Sequence, residues 1–332
     1  MLHGHGDHGG RVIADFSTNV WYGGEPAGLK EYLFGQWEHI QHYPEAAGES
    51  LAHKAARHHN VSAEQILITN GAVESIYLLA QAFSGRRSAI VIPSFSEYED
   101  ACRMHAHHLE FIPWNDLEKT RSLPDLLWIG NPNNPTGAII ADMGSLLQTH
   151  PDTLFIIDEA FIEFTRAIES LSPNLEKYPN LVILRSLTKS FAIPGLRLGY
   201  TMASQKMIHQ LASVKMPWSV NTLALAAGHF IFDNYKLFPL DILLKDKEVF
   251  LQQLSTLDIR AYESHTHYFL CETKQGSSHE LQQYLLQEHG IAIRNAENFR
   301  GLGPGHFRVA TQTPEQNLLL INALKEWRLQ CA

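Results

Sequence analysis

The chain has 332 residues, 45% hydrophobic and 18% charged, with a formal net charge of -9 at neutral pH. That length holds one large domain plus a smaller one, each with its own core, and the acidic balance argues against an extended nucleic-acid surface. No apolar stretch reaches the roughly 18 residues that span a bilayer, Met1–His8 lacks the apolar core of a secretory signal, and three widely spaced cysteines, Cys102, Cys271 and Cys331, suggest no disulfide framework and fit a reducing cytoplasm.

In chain order, Ile66–Thr69 reads as a strand and is followed by a helix over Val73–Phe83. Ala89–Ile92, Leu126–Ile129, Leu154–Ile157, Leu181–Leu184 and Gly199–Met202 read as further strands. These runs are apolar throughout instead of alternating, as expected of a sheet covered on both faces in an α/β protein. Turn-forming segments follow most of them: Asn70-Gly71, Pro93-Ser94, Asn131–Gly137 and Asp158-Glu159. In open α/β sheets ligands bind beyond the carboxyl ends of the strands, where these segments fall. After about residue 235 the texture changes. An amphipathic helix covers Leu237–Leu254, followed by a strand at His267–Leu270, a helix over Ser278–Glu288, and strands at Ile291–Ile293 and Phe307–Val309. The last helix opens on Thr313-Pro314-Glu315-Gln316, a capping-box pattern with proline at the first helical position. The expected fold class is α/β, a mainly parallel central sheet sandwiched by helices, with a smaller α+β C-terminal domain.

Lys189 is the most informative residue. It follows the apolar run Leu181–Leu184, with the hydroxyls of Ser186 and Thr188 just before it and Arg197 after it. A lysine is ordinarily a solvated surface charge. Here the pattern suits a lysine joined covalently to an aldehyde cofactor, beside a pocket for the cofactor's phosphate. The segment Arg185–Tyr200 resembles the lysine motif of the aminotransferase class I/II superfamily of pyridoxal 5'-phosphate enzymes, and the likeness extends over nearly the whole chain, with every motif in family order. It implies the fold type I architecture of those enzymes.

The resemblance also implies roles. Asp158, which taken alone reads as a helix cap, would keep the cofactor's pyridine nitrogen protonated. Asn134, otherwise a plain Asn-Pro turn residue, would bond the ring oxygen and face the substrate. Gly71, Ala72 and Val73 open a helix directly after a strand, and their amides would meet the phosphate. Ser186, Thr188 and Arg197 would complete that cup. Phe95, otherwise a core phenylalanine, would stack on the ring. Tyr43, otherwise a loop aromatic, resembles the tyrosine that reaches a neighbouring subunit's phosphate, so a homodimer is implied. The family organisation divides the chain into an N-terminal segment, 1–35, packing with the small domain and cleft; a large cofactor-binding domain, 36–232; and a small domain, 233–332.

Two branches of the superfamily compete: histidinol-phosphate aminotransferases and L-threonine-O-3-phosphate decarboxylases. His8-Gly9-Gly10 with Asp15–Asn19, Met216–Asn221 and the lysine segment itself look more like the decarboxylases. Phe161 stands where most aminotransferases carry a tyrosine. The implied reaction is decarboxylation of L-threonine O-3-phosphate to (R)-1-amino-2-propanol phosphate in cobalamin biosynthesis. The alternative is transamination of histidinol phosphate or a similar phosphorylated amine. Arg308 is assigned to the substrate's carboxylate and Arg294 to its phosphate, since guanidinium forks suit either anion; His8, Gly9 and Asn19 would help enclose it. Histidines are plentiful, but no Cys-x-x-Cys or His-Glu-x-x-His pattern supports a built-in metal site. A purely ligand-sensing protein is the non-enzymatic reading, disfavoured because the lysine, aspartate, asparagine and phosphate-cup residues are all retained.

Overall fold

The computed structural model describes residues 12–330; His8, Gly9 and Cys331 lie outside them. A two-residue strand, β1 (Ala14–Asp15), comes first. The chain then builds a seven-stranded sheet from β2 (Ile66–Thr69), β3 (Arg87–Ile92), β4 (His108–Pro113), β5 (Leu126–Gly130), β6 (Leu154–Asp158), β7 (Leu181–Ser186) and β8 (Gly199–Ala203). Its spatial order is β2-β8-β7-β6-β5-β3-β4, and only β8 runs antiparallel to its neighbours.

The apolar runs explain this sheet. Ile129, Ile157 and Ile183 feed the core on one face, and Trp128, Ile156 and Val182 feed the core on the other. A strand buried on both faces has no polar side to show. The edge strand β4 escaped the sequence reading for the opposite reason. His108 and Glu110 are exposed while Leu109 and Phe111 are half-buried, so its sequence looks like a polar loop.

The C-terminal region holds a four-stranded antiparallel sheet from β9 (Ile259–Ala261), β10 (Tyr268–Thr273), β12 (Arg294–Asn295) and β13 (His306–Ala310), in the order β12-β13-β10-β9. The remaining strand, β11 (Ile291–Ala292), pairs in parallel with β1. The run expected as one strand at Ile291–Ile293 is therefore two short ladders that part at the buried Ile293. The helix expected from Leu237 begins at Leu240. Pro239 is its N-cap, and a proline disfavours helical backbone at the residue before it. The Ser278–His289 helix carries a full capping box between Ser277 and Glu280.

One contact ties the N-terminal region to the strands of the C-terminal region, and another ties the C-terminal region to the large-sheet layer. The Phe16 N–H donates to the Ala292 carbonyl (2.8 Å) and the Phe16 carbonyl accepts from the Ala310 N–H (3.0 Å). Arg300, from the loop before β13, grips Glu99 on the Glu97–Met104 helix through two hydrogen bonds of 2.9 and 2.7 Å and lies 4.1 Å from the Phe111 ring centre. A bidentate fork of this kind is among the stronger ion pairs.

Candidate active site

The carboxyl edge of the large sheet gathers the chemistry-bearing residues. β2 ends at Thr69 and leads into the helix from Gly71; β5 ends at Gly130 and leads into the Asn131–Gly137 turn; β6 ends on Asp158 and β7 on Ser186. Register places Gly130 beside Asp158, Ser186 beside Gly199, and Thr69 beside Gly199 from the other side. Because β8 returns antiparallel to β7, residues 187–198 form a loop that starts and ends on this edge. Lys189 and Arg197 belong to that loop.

Lys189 keeps some contact with solvent, but protein encloses its amine. Desolvation first, then the positive charges of Arg308 and Arg197, lower its pKa to about 8, with Asp158 pulling the other way. A lysine so placed is partly a free amine near neutral pH, the form that attacks an aldehyde. Its backbone carbonyl accepts from the Trp21 N–H at 3.0 Å, which lays the N-terminal segment across the loop.

Asp158 is buried and receives two hydrogen bonds, from the Tyr98 hydroxyl to Oδ2 (2.8 Å) and from the Ala160 N–H to Oδ1 (2.9 Å). Burial raises its pKa, and these two donors together with Lys189 oppose the rise. Phe95 is half-buried, edge-on to Tyr98 with ring centres 5.9 Å apart.

The residues expected to meet a phosphate lie around Gly71. Gly71 has a φ of +77°, and a Cβ there would come within 2.7 Å of Arg197 Nη2. Gly199 is as tightly placed: its Cβ would meet the Ala72 amide nitrogen at 2.7 Å. The Gly71–Ala82 helix has no side-chain cap on its first turn, so those amides and the positive end of the helix dipole face the cup. Ser186 and Thr188 share a hydroxyl contact of 2.8 Å, and the Ser190 hydroxyl is buried without a partner among the described residues. Amides, hydroxyls and a guanidinium make a donor set that fits a phosphate, and beside it stand a depressed-pKa lysine and a buried aspartate. Pyridoxal 5'-phosphate asks for this combination.

Arg294 and Arg308 are direct cross-strand partners on β12 and β13. Arg308 is buried; it donates to Asn134 Oδ1 and to the Ser17 carbonyl (2.5 Å), and its Nε has no partner among the described residues. Among the described residues no carboxylate forms a salt bridge with it. Burial, then Arg294, lower its pKa to about 9. Arg294 donates to the Asn295 carbonyl and Asn298 Oδ1 and lies over Phe299. Asn19 is 2% exposed, with both amide atoms unpartnered among the described residues. Tyr43 stands apart from this cluster: it is 86% exposed, with its ring 5.4 Å from that of Trp218 between centres.

Comparison with known proteins agrees with this geometry. The sequence profile of the aminotransferase class I and II family matches residues 27–324. The chain belongs to that family. A threonine-phosphate decarboxylase from Salmonella typhimurium is 35% identical, over 94% of this chain and 90% of that one. The crystal structure of an L-threonine-O-3-phosphate decarboxylase from Porphyromonas gingivalis superposes with a TM-score of 0.93 and 38% identity, covering 96% of this chain and all of that one. A histidinol-phosphate aminotransferase from Clostridium acetobutylicum superposes over the same share at a TM-score of 0.84 and 26% identity.

Within this family site, three residues escaped the sequence reading. Tyr98, already met on Asp158, drew no expectation from the sequence. Tyr268 is buried beneath Arg308, donates to the Asn133 carbonyl (2.9 Å) and packs against Phe161, so the phenylalanine at 161 brings no hydroxyl and the neighbouring phenol is already engaged. His267 is 1% exposed and stacked on Phe164; burial, then Arg308, keep its imidazole neutral. Local pattern marks none of the three, because each acquires its neighbour only through packing of elements distant in sequence: Tyr98 on β6, Tyr268 on the Asn131–Gly137 turn, and His267 on Phe164. Among the described residues no group of three metal-ligating side chains is placed to hold an ion. No described helix is long and apolar enough to cross a membrane.

Proposed function

We propose that this protein is a cytoplasmic, pyridoxal 5'-phosphate-dependent carboxy-lyase that converts L-threonine O-3-phosphate to (R)-1-amino-2-propanol phosphate and carbon dioxide in cobalamin biosynthesis. The observation that carries this reading is the facing pair Arg294 and Arg308, with Arg308 acting on Lys189. Like charges directly opposite on a sheet are unfavourable, and a substrate with two anionic groups relieves that repulsion. The fuller likeness to the two decarboxylases than to the aminotransferase supports decarboxylation over transamination.

In this reading residues 36–232 hold the cofactor, and residues 233–332 with the N-terminal 35 close the substrate side. Gly71, Ala72, Val73, Ser186, Thr188 and Arg197 bind the phosphate, Phe95 covers the ring, and Asn134 with Phe161 lines its oxygen side. When bound, the cofactor supplies an aldehyde for the substrate amine and a protonated pyridine ring that accepts the electron pair of whichever Cα bond stands perpendicular to it. Asp158 holds the proton on the ring nitrogen. Arg308 holds the carboxylate and Arg294 the phosphate, with Asn19 enclosing them, and their placement decides which Cα bond is presented. Lys189 Nζ would return a proton to Cα after carbon dioxide has left.

Trapped carbon dioxide from O-phospho-L-threonine is the expected assay result. Transamination of histidinol phosphate with 2-oxoglutarate, with no carbon dioxide from phosphothreonine, would refute the reading.

The same reading makes the protein a homodimer in which Tyr43 serves the neighbouring site. Supporting it, Phe34, Trp37, Ile40, Tyr43, Met216 and Trp218 are all large and exposed, more apolar surface than isolated exposed residues would leave. Leu29, Leu33, Phe34 and Trp37 line a surface groove together with Ile193 and Pro194 of the lysine loop. Size-exclusion with light scattering is expected to return a dimer at micromolar concentration, and a monomer there would remove Tyr43 from the site.

A further inference from the structure

Tyr98 takes no part in the chemistry just described, yet its hydroxyl makes the 2.8 Å bond to Asp158 Oδ2. The residue is 3% exposed. Its ring is stacked on Trp128 (centres 6.1 Å apart, 27° between planes) and meets Phe95 edge-on at 89°. The phenol is therefore wedged between the ring expected to cover the cofactor and the floor of the large sheet, and its aim is fixed by packing on both sides. Trp128 and Asp158 sit on adjacent strands, β5 and β6, so the same sheet sets both the wedge and its target.

We infer that Tyr98 is a positioning residue that holds Asp158 in its ionised, aimed form, so that the proton between Asp158 and the cofactor's pyridine nitrogen stays on the nitrogen. This rests on the cofactor reading above. A carboxylate in a dry site is driven toward its neutral form, and donors to its oxygens are what oppose that drive. Among the described residues Asp158 has two hydrogen-bond donors, Tyr98 and the Ala160 N–H. Lys189 faces it from the loop after β7, and the Tyr268 phenol faces it from β10. The Tyr98 phenol itself is pushed far above its ordinary range by burial and by Asp158, so it remains a donor at every pH the protein tolerates. Without it, Oδ2 keeps its burial and loses its donor. The carboxyl becomes more basic, and the shared proton moves from nitrogen to oxygen. A ring without that proton is a weaker acceptor of the electron pair from Cα.

The test is the ¹⁵N chemical shift of ring-¹⁵N-labelled pyridoxal 5'-phosphate bound to wild type and to Tyr98→Phe, which keeps the ring and its packing. In the wild type the nitrogen is expected to read as protonated and independent of pH. In Tyr98→Phe the shift should move toward the free-base value and acquire a pH dependence, while kcat falls about tenfold to a hundredfold with KM little changed, the range expected for one hydrogen bond to a charged group. An unchanged shift in the loaded variant overturns the inference, even where loading or melting temperature drops, because a merely structural tyrosine would give that pattern. A wild type that binds no label overturns the cofactor reading instead. Should Tyr98→Phe fail to fold, 4-aminophenylalanine in place of Tyr98 keeps the shape with a weaker donor: a smaller shift in the same direction supports the role, and none refutes it.

Discussion

Replacing Lys189 with methionine is expected to lower turnover about 10³- to 10⁴-fold and, in the same protein without cofactor, to raise stability at pH 7 by about 3 kcal/mol at 1.36 kcal/mol per pKa unit. Both effects follow from the same enclosure. The folded chain holds the Lys189 pKa at about 8 against 10.5 for a free lysine. Below pH 8 both folded and unfolded chains carry the proton, and the folded state bears the full penalty of a desolvated ammonium near Arg308 and Arg197. Between about pH 8 and 10.5 the folded chain has released the proton while the unfolded chain still binds it, so wild-type stability rises with pH across that window. The methionine variant lacks the penalty, and its advantage should shrink as pH climbs. Urea melts of the cofactor-free proteins at pH 7 and pH 9.5 measure this directly. Equal stability at both values would mean that the amine is not held in a desolvated site. Strain of this kind at a reactive group is an ordinary form of the trade between stability and activity.

The second large effect concerns the two arginines, and it separates their roles. Arg308→Leu is expected to lower kcat/KM for O-phospho-L-threonine about 10²- to 10³-fold, in line with truncating one partner of a buried charged pair. The loss should be just as large for unphosphorylated threonine, because Arg308 is assigned to the carboxylate that both compounds share. Arg294→Leu should cost a similar factor with phosphothreonine and almost nothing with threonine. The geometry motivates the split. Arg308 is buried, reaches Asn134 and the Ser17 carbonyl, and acts on Lys189, which places it near the reacting carbon. Arg294, on the facing strand, lies over Phe299 and donates to Asn298 farther along the domain. Kinetics with the two substrates in the two variants reverse the assignment if the threonine penalty appears in Arg294→Leu alone.

Much of this architecture could be read from the chain before any coordinates. β5, β6 and β7 lie inside the sheet, so their residues are apolar on both faces and announce themselves. Lys189, Asp158, Asn134 and Arg197 could be singled out because each sits at a strand end, turn or loop inside a segment that resembles a family motif. The edge strand β4 and the short β9 could not, because water on one side lets polar residues mask the alternation. Boundaries moved where a local rule intervened, as at Pro239 ahead of the Leu240–Leu254 helix.

The sequence by itself determined the central strands and the order in which their turn residues reach the carboxyl edge, because both depend on burial patterns and backbone preferences within a few residues. Only the tertiary structure decided what meets at that edge. The Arg294–Arg308 opposition is a matter of antiparallel register, and Tyr98 on Asp158 depends on a helix packing against a strand two crossovers later in the chain. Such contacts are set by how whole elements fit together, and that fit leaves no trace in the spacing of any one segment.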